Sequence, residues 1–263
     1  NARLVGEHVD VLEELGSFSF PFWFAALGIY AGTLLAKAFS FDILAAVFGA
    51  RVPIKTSVAM AASGLLGNYL LPGNTSIPLR SLYLKKVHDL EYRNFVPIAL
   101  AAFVFATGLY GVAAGLVSLT LEPVVSSAYN TIVLLFALGG VALILLLVLP
   151  LPYERLPIAG SMIGKALSGW RQLVSDRKLF SLWLLLEFVR GSLEVSFFYL
   201  IARELDVPIS FGQALIITMA KECSIFLRIT PGAFGVAEGV QAFFASAYGL
   251  DVARVVLAGL VGR

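Results

Sequence analysis

Apolar positions run along this chain in long blocks, not in the alternation of a strand or the narrow stripe of a soluble helix. Three blocks, Leu15–Ala36, Phe95–Leu121 and Pro123–Tyr153, hold no Asp, Glu, Lys or Arg. Each exceeds the roughly 20 residues with which a helix crosses a bilayer. A fourth block, Thr56–Leu79, is equally apolar but is broken near its end by Pro72-Gly73. Ahead of the first block, Leu4, Val5, Val9, Leu12 and Leu15 recur at helical spacing opposite Glu7, Asp10, Glu13 and Glu14. That pattern predicts an acidic amphipathic helix lying on a membrane surface. The span from about Phe18 to Gly49 would be about 50 Å long as a helix. It is longer than a hydrocarbon core, so its end beyond Lys37 and Asp42 is expected to tilt or leave the membrane near Arg51 and Lys55.

One stretch occurs twice. NYLLPGNTSIPLRSLYLKK begins at Asn68, and FLRITPGAFGVAEGVQAFF begins at Phe226. In each, an apolar run is broken by a Pro-Gly pair (Pro72-Gly73, Pro231-Gly232) and resumes as a helix with one ionisable residue near its start, Arg80 or Glu238. Proline removes a backbone donor and glycine accepts conformations that other residues avoid, so each pair ends a helix. Asn74, Thr75 and Ser76 offer capping oxygens and Pro78 suits a first turn, which predicts a helix starting near Ser76. The small residues of VAMAASGLLGN, 58–68, suit close helix packing. The tripeptide VPI precedes both breaks, at 52–54 and 207–209, as an internal repeat would have it.

Composition agrees with the pattern. The chain is 59% hydrophobic and 14% charged, with mean hydropathy +0.89, against about half apolar and a quarter charged in soluble domains. It reads as a multi-pass protein of the cell (inner) membrane. A single Cys223 excludes an internal disulfide, and His8 and His88 stand far apart, so neither a metal site nor a cofactor is indicated. The chain starts without Met and ends in the apolar DVARVVLAGLVGR. Flanking membrane helices are therefore expected at both ends.

Loop charge sets the expected topology. Segments 51–55, 80–93 and 153–178 are basic, and the loop at 122–128 carries Glu122 and no Lys or Arg. With the basic segments cytoplasmic, 56–79 enters and leaves on one side as a re-entrant hairpin, and the second half repeats the plan on the opposite face. The expected fold is an all-α, polytopic membrane helix bundle. It comprises one membrane domain with two inverted repeats, about 18–150 and 179–263, each holding a Pro-Gly-broken hairpin, joined by a cytoplasmic basic linker, about 153–178.

Broken backbone at membrane depth is tolerated where it is buried in protein or lines a wet cavity. A helix start there presents free amide hydrogens, and Arg80 adds a planar donor fork that fits phosphate oxygens. The candidate substrate-binding set is Asn68, Pro72, Gly73, Asn74, Arg80, Pro231, Gly232, Gly235 and Glu238. The competing reading has Pro-Gly simply ending a helix and Arg80 reaching the interface. Glu238 is likewise either a partner for a lipid amine or an acid favoured by its helix dipole. Glu187, Arg190 and Glu194 share one helix face and can neutralise one another. With Lys221, Glu222 and Arg228 they form a second set of ionisable residues inside apolar runs, of the kind that faces a bundle interior.

Leu71-Pro72-Gly73 with Arg80, the later Pro231, Gly232, Gly235 and Glu238, and the ending AYGLD together resemble the lysylphosphatidylglycerol synthase transmembrane family, whose members are also called flippase-like domain proteins. The likeness covers nearly the whole chain. The chain departs from it at Ser76 and Ile77, where the family carries Gly and Glu, and in having no charge from Phe95 to Leu121. The resemblance implies a lipid-handling membrane domain. From it follows an expected translocase core that moves a phosphate-bearing lipid, anionic or aminoacylated, between leaflets. A second copy of the chain or a separate soluble synthase is the expected protein partner, and nucleic acid is not. Two alternatives stand beside it: a membrane-embedded transferase using Glu187, Glu194 or Glu238 as general base, and a non-catalytic partner module. No GxGxxG or P-loop fingerprint occurs. That favours transport over chemistry, so no enzymatic activity is expected.

Overall fold

The computed structural model describes residues 18–70, 76–121, 127–149, 160–223 and 234–262. Among them are ten helices and no strand: α1 (Phe20–Ala46), α2 (Ile54–Leu70), α3 (Ser76–His88), α4 (Tyr92–Ser118), α5 (Ser127–Val148), α6 (Gly160–Ser175), α7 (Arg177–Glu204), α8 (Phe211–Cys223), α9 (Val236–Ala247) and α10 (Val252–Val261). Their starts follow local chemistry. The Asp176 carboxylate accepts from Lys178 N and Leu179 N at 3.1 and 3.0 Å, capping α7. Ser210 and Gln213 cap α8 reciprocally, at 2.8 and 3.2 Å. The expected restart near Ser76 is where α3 begins, while the Pro-Gly pairs, the N-terminal acidic segment and the 122–126 loop lie outside the described residues.

Among the described residues, three helices are long and apolar enough to cross a membrane: Phe20–Ala46, Tyr92–Ser118, and Thr131–Val148 within α5. Two-thirds of the apolar window of α4 is buried, against 17% for α5, so α4 is central and α5 is an outer helix. The exposed side chains of α5, among them Leu134, Leu135, Leu138, Leu145 and Leu146, form the kind of broad apolar face that suits lipid. Glycines set how closely α4 and α5 approach. A Cβ on Gly111 would meet the Phe136 carbonyl at 2.6 Å, and one on Gly108 would meet the Gly140 carbonyl at 2.9 Å. Gly64 does the same in α2, where a Cβ would lie 2.8 Å from the Ser76 Cβ of α3.

Within the stretch expected as a basic linker, Gly160–Ser175 is helical. Leu167, Trp170 and Leu173 are buried, one helix face packed against α4 and α7. Gln172 Nε2 donates to the Val47 carbonyl at 3.0 Å, tying α6 to the end of α1.

Antiparallel contact between α1 and α7 organises the molecule. Ser19 N donates to Glu204 Oε1 at 3.0 Å, Tyr30 lies against Phe197, and Ser40 reaches Glu187. Residue numbers rise along one helix as they fall along the other. Both helices then end in the same turn. Gly49 and Asp206 take φ of 76° and 55°, and the next amide bonds back five residues, Ala50 N to Ala45 O and Val207 N to Ala202 O. VPI follows each. The tripeptide alone does not make this turn, because Val96-Pro97-Ile98 lies within helix α4. A second match comes after α3 and α9. Asp89 and Gly249 have φ of 52° and 65°, and each is followed by a buried leucine (Leu90, Leu250) and an acidic N-cap (Glu91, Asp251).

The apolar core falls into two clusters. One joins the start of α1 and the ends of α4 and α7 to α5, α8, α9 and α10. The other joins the end of α1 to α3, the first half of α4, α6 and the start of α7. Between them lies a polar belt.

Candidate functional site

The belt encloses a cavity of about 240 Å³. α1 faces it with Tyr30, Thr33, Lys37, Ser40, Phe41 and Leu44, positions three and four apart and hence one helix face. α4 contributes Thr107 and Tyr110, and α7 contributes Trp183, Glu187, Arg190, Glu194 and Phe197 at the same spacing. Lys221 and Glu222 enter from the end of α8, Asn68 from α2, Ser76 and Ile77 from the start of α3, and Ala237 from α9. Six Lys, Arg and Glu side chains line the wall, three basic (Lys37, Arg190, Lys221) and three acidic (Glu187, Glu194, Glu222).

Arg190 is the centre of their pairing. Its Nη2 and Nε donate to Glu187 Oε2 at 2.8 and 3.1 Å, and its Nη1 donates to Glu194 Oε1 at 2.8 Å. Nη2 also reaches the Tyr110 hydroxyl. Ser40 Oγ donates to Glu187 Oε1 at 2.6 Å, and Tyr110 OH to Glu187 Oε2 at 3.3 Å. The Glu187 carboxylate is therefore held from three helices, α1, α4 and α7. Glu194 is held on one side only, because its Oε2 is buried without a hydrogen-bond partner. Lys221 Nζ stands 3.5 Å from Glu222 Oε1.

The two charges singled out from the broken helices are placed differently. Glu238 turns back on its own helix, where its Oε2 accepts from Gly235 N at 2.6 Å. It caps α9 and leaves the cavity wall to its neighbour Ala237. Arg80 neither reaches an interface nor lines the cavity. It is 2% exposed, and its Nε, Nη1 and Nη2 have no hydrogen-bond partner among the described residues. Its guanidinium carbon lies 3.9 Å from the centre of the Phe41 ring. Such a stack is worth about 0.5–2 kcal/mol, less than the several kcal/mol that burying an unpaired ion costs. The charge of Asp42 also reaches Arg80, although Asp42 is engaged by Ser57 Oγ at 2.6 Å.

Asn68 is on the wall as a buried residue, Gly235 stands at the start of α9, and Pro72, Gly73, Asn74, Arg228, Pro231 and Gly232 lie outside the described residues. The end of the first span beyond Lys37 and Asp42 is expected from the sequence to tilt or to leave the membrane near Arg51 and Lys55. α1 continues to Ala46, with Lys37 facing the cavity. The position of Lys37 and Asp42 inside an otherwise apolar run was the signal that could have assigned Lys37 to the interior. Ser40, Phe41 and Tyr110 carry no such signal, being ordinary members of apolar helices.

The family described as lysylphosphatidylglycerol synthase TM region matches residues 8–263. No curated protein and no solved structure matches the chain. With a charged cavity inside apolar helices and a family match over almost its whole length, the chain belongs to the lysylphosphatidylglycerol synthase transmembrane-region family, membrane proteins with a lipid-related function.

Proposed function

We propose that the chain is the core of a lipid translocase of the cell membrane, which takes a phospholipid headgroup, anionic or aminoacylated, into the central cavity and passes it between leaflets. The observation that carries this reading is the charge-balanced wall, with Lys37 and Lys221 set among acids midway between two apolar clusters. Cations in a low-dielectric cavity attract a phosphate far more strongly than they would in water. The acids beside them keep the empty cavity neutral. The antiparallel α1 and α7, with their matching turns, support an inverted-repeat frame in which such a cavity opens to alternate sides. A transferase reading finds less support, since Glu187 is committed to Arg190, Ser40 and Tyr110, and Glu238 to its own helix start.

The test is translocation of a fluorescent phosphatidylglycerol in reconstituted vesicles. The wild-type protein is expected to accelerate it over protein-free vesicles. Lys37→Met with Lys221→Met is expected to slow it about tenfold or more, the worth of one charge-assisted hydrogen bond. Wild-type vesicles no faster than protein-free ones overturn the reading.

A further inference from the structure

We infer that Arg80 is a latent anion site, closed in this conformation by the Phe41 ring and opened into the central cavity when that ring moves aside, and that its ligand is a phosphate group. Resting on the translocase reading, the inference assigns the headgroup phosphate a second station, distinct from Lys37 and Lys221. Three observations meet here. Arg80 is buried with every guanidinium nitrogen unpartnered, so its donor fork is unsatisfied and shaped for a tetrahedral oxyanion. Phe41 covers the guanidinium at 3.9 Å and is itself part of the cavity wall, so one ring touches both the fork and the space a headgroup would enter. Phe41 is only half-buried, and the cavity beside it is open, which gives the ring somewhere to go.

The surroundings fit a site that waits for its anion. Asp42, one residue from Phe41, is the acid whose charge reaches Arg80, yet it is engaged by Ser57 and leaves the guanidinium without a hydrogen bond. Ser76 and Ile77, in the turn of α3 that precedes Arg80, already line the cavity. The start of the helix that carries Arg80 thus faces the space an entering phosphate would occupy.

The experiment measures labelling of Arg80 by phenylglyoxal, a guanidinium-specific reagent, in purified full chain in maltoside detergent, read by peptide mass spectrometry. Wild type, Phe41→Ala and Phe41→Leu are compared alone, with inorganic phosphate, and with phosphatidylglycerol micelles. Removing the ring is expected to raise the Arg80 labelling rate at least about tenfold, and a bound phosphate to lower it again. Protection by phosphatidylglycerol alone identifies the ligand as a lipid headgroup. Protection by inorganic phosphate as well identifies any accessible phosphate as sufficient. Phe41→Leu keeps most of the packing volume, so it reports on the cover if Phe41→Ala fails to fold. Labelling in both variants as slow as in wild type, or labelling that neither phosphate source slows, overturns the inference. Because no transport is measured, these outcomes leave the translocase reading to its own vesicle test.

Discussion

Arg190 has three neighbours that no single-point cation could serve together. Its planar fork spans Glu187, Glu194 and the Tyr110 hydroxyl at once, and an ammonium on a flexible stem has no matching geometry. Arg190→Lys is expected to keep the charge balance and lose part of this bonding. Arg190→Met leaves Glu187 buried beside no cation, at a cost of about 3–5 kcal/mol. Ser40→Ala removes one bond to a charged acceptor, about 1.5–3 kcal/mol. Thermal unfolding in detergent should therefore rank wild type above Arg190→Lys, and Arg190→Lys above Arg190→Met. An Arg190→Met protein as stable as wild type would mean that the triad is not holding α7 to α1 and α4. The triad itself was legible in the sequence, because helical spacing of three and four places its members on one face. Its anchors were not, since Ser40 and Tyr110 meet Glu187 across 147 and 77 residues of chain.

At the scale of elements, close approach depends on small residues more than on apolar mass. Lipid is as apolar as leucine, so helices in a membrane gain by van der Waals contact and lipid release, and a missing side chain is what admits that contact. Gly111 faces the Phe136 carbonyl too closely for a β-carbon. Gly111→Val is expected to push α5 off α4 and destabilise the fold by about 1–3 kcal/mol, whereas Gly139→Ala meets open space and should change little. Denaturation midpoints of the two variants check this, and equal midpoints would reject the glycine contact as the determinant. Long uncharged runs made α1, α4 and α5 readable in the sequence. The helix α6 was hidden because Lys165, Arg171 and the neighbouring Arg155 give its segment the look of a charged loop. Among the described side chains, Leu167, Trp170 and Leu173 are buried on the face that docks on α4.

At the scale of the whole molecule, the two halves are related by the way each leaves its long helix. α1 and α7 are antiparallel, so the Gly49 and Asp206 turns lie at opposite ends of the pair. Each later cap returns to the end where the long helix of its half stops. Leu90 packs in one cluster with Val47 and Ala50, and Arg254 Nη1 donates to the Leu205 carbonyl at 3.2 Å. Glu91 thus belongs with the first turn and Asp251 with the second. The basic segments 51–55 and 80–93 gather with the first, and so does the part of α6 that carries Arg171, through Gln172 on Val47 and Leu173 in the same cluster. The VPI and Pro-Gly pairs suggest a repeat in the sequence, but the antiparallel setting of α1 and α7 is not legible there, because it rests on contacts far apart in the chain. Glu91 and Asp251 are both exposed, so single cysteines there, with Cys223→Ser, report the relation directly. If the halves are inverted across a membrane, a membrane-impermeant maleimide added outside sealed vesicles labels one of the two, and permeabilisation is needed for the other. Labelling of both from the same side would make the repeat direct, remove the symmetry through which the cavity opens to either leaflet, and leave the antiparallel α1 and α7 as a packing arrangement only.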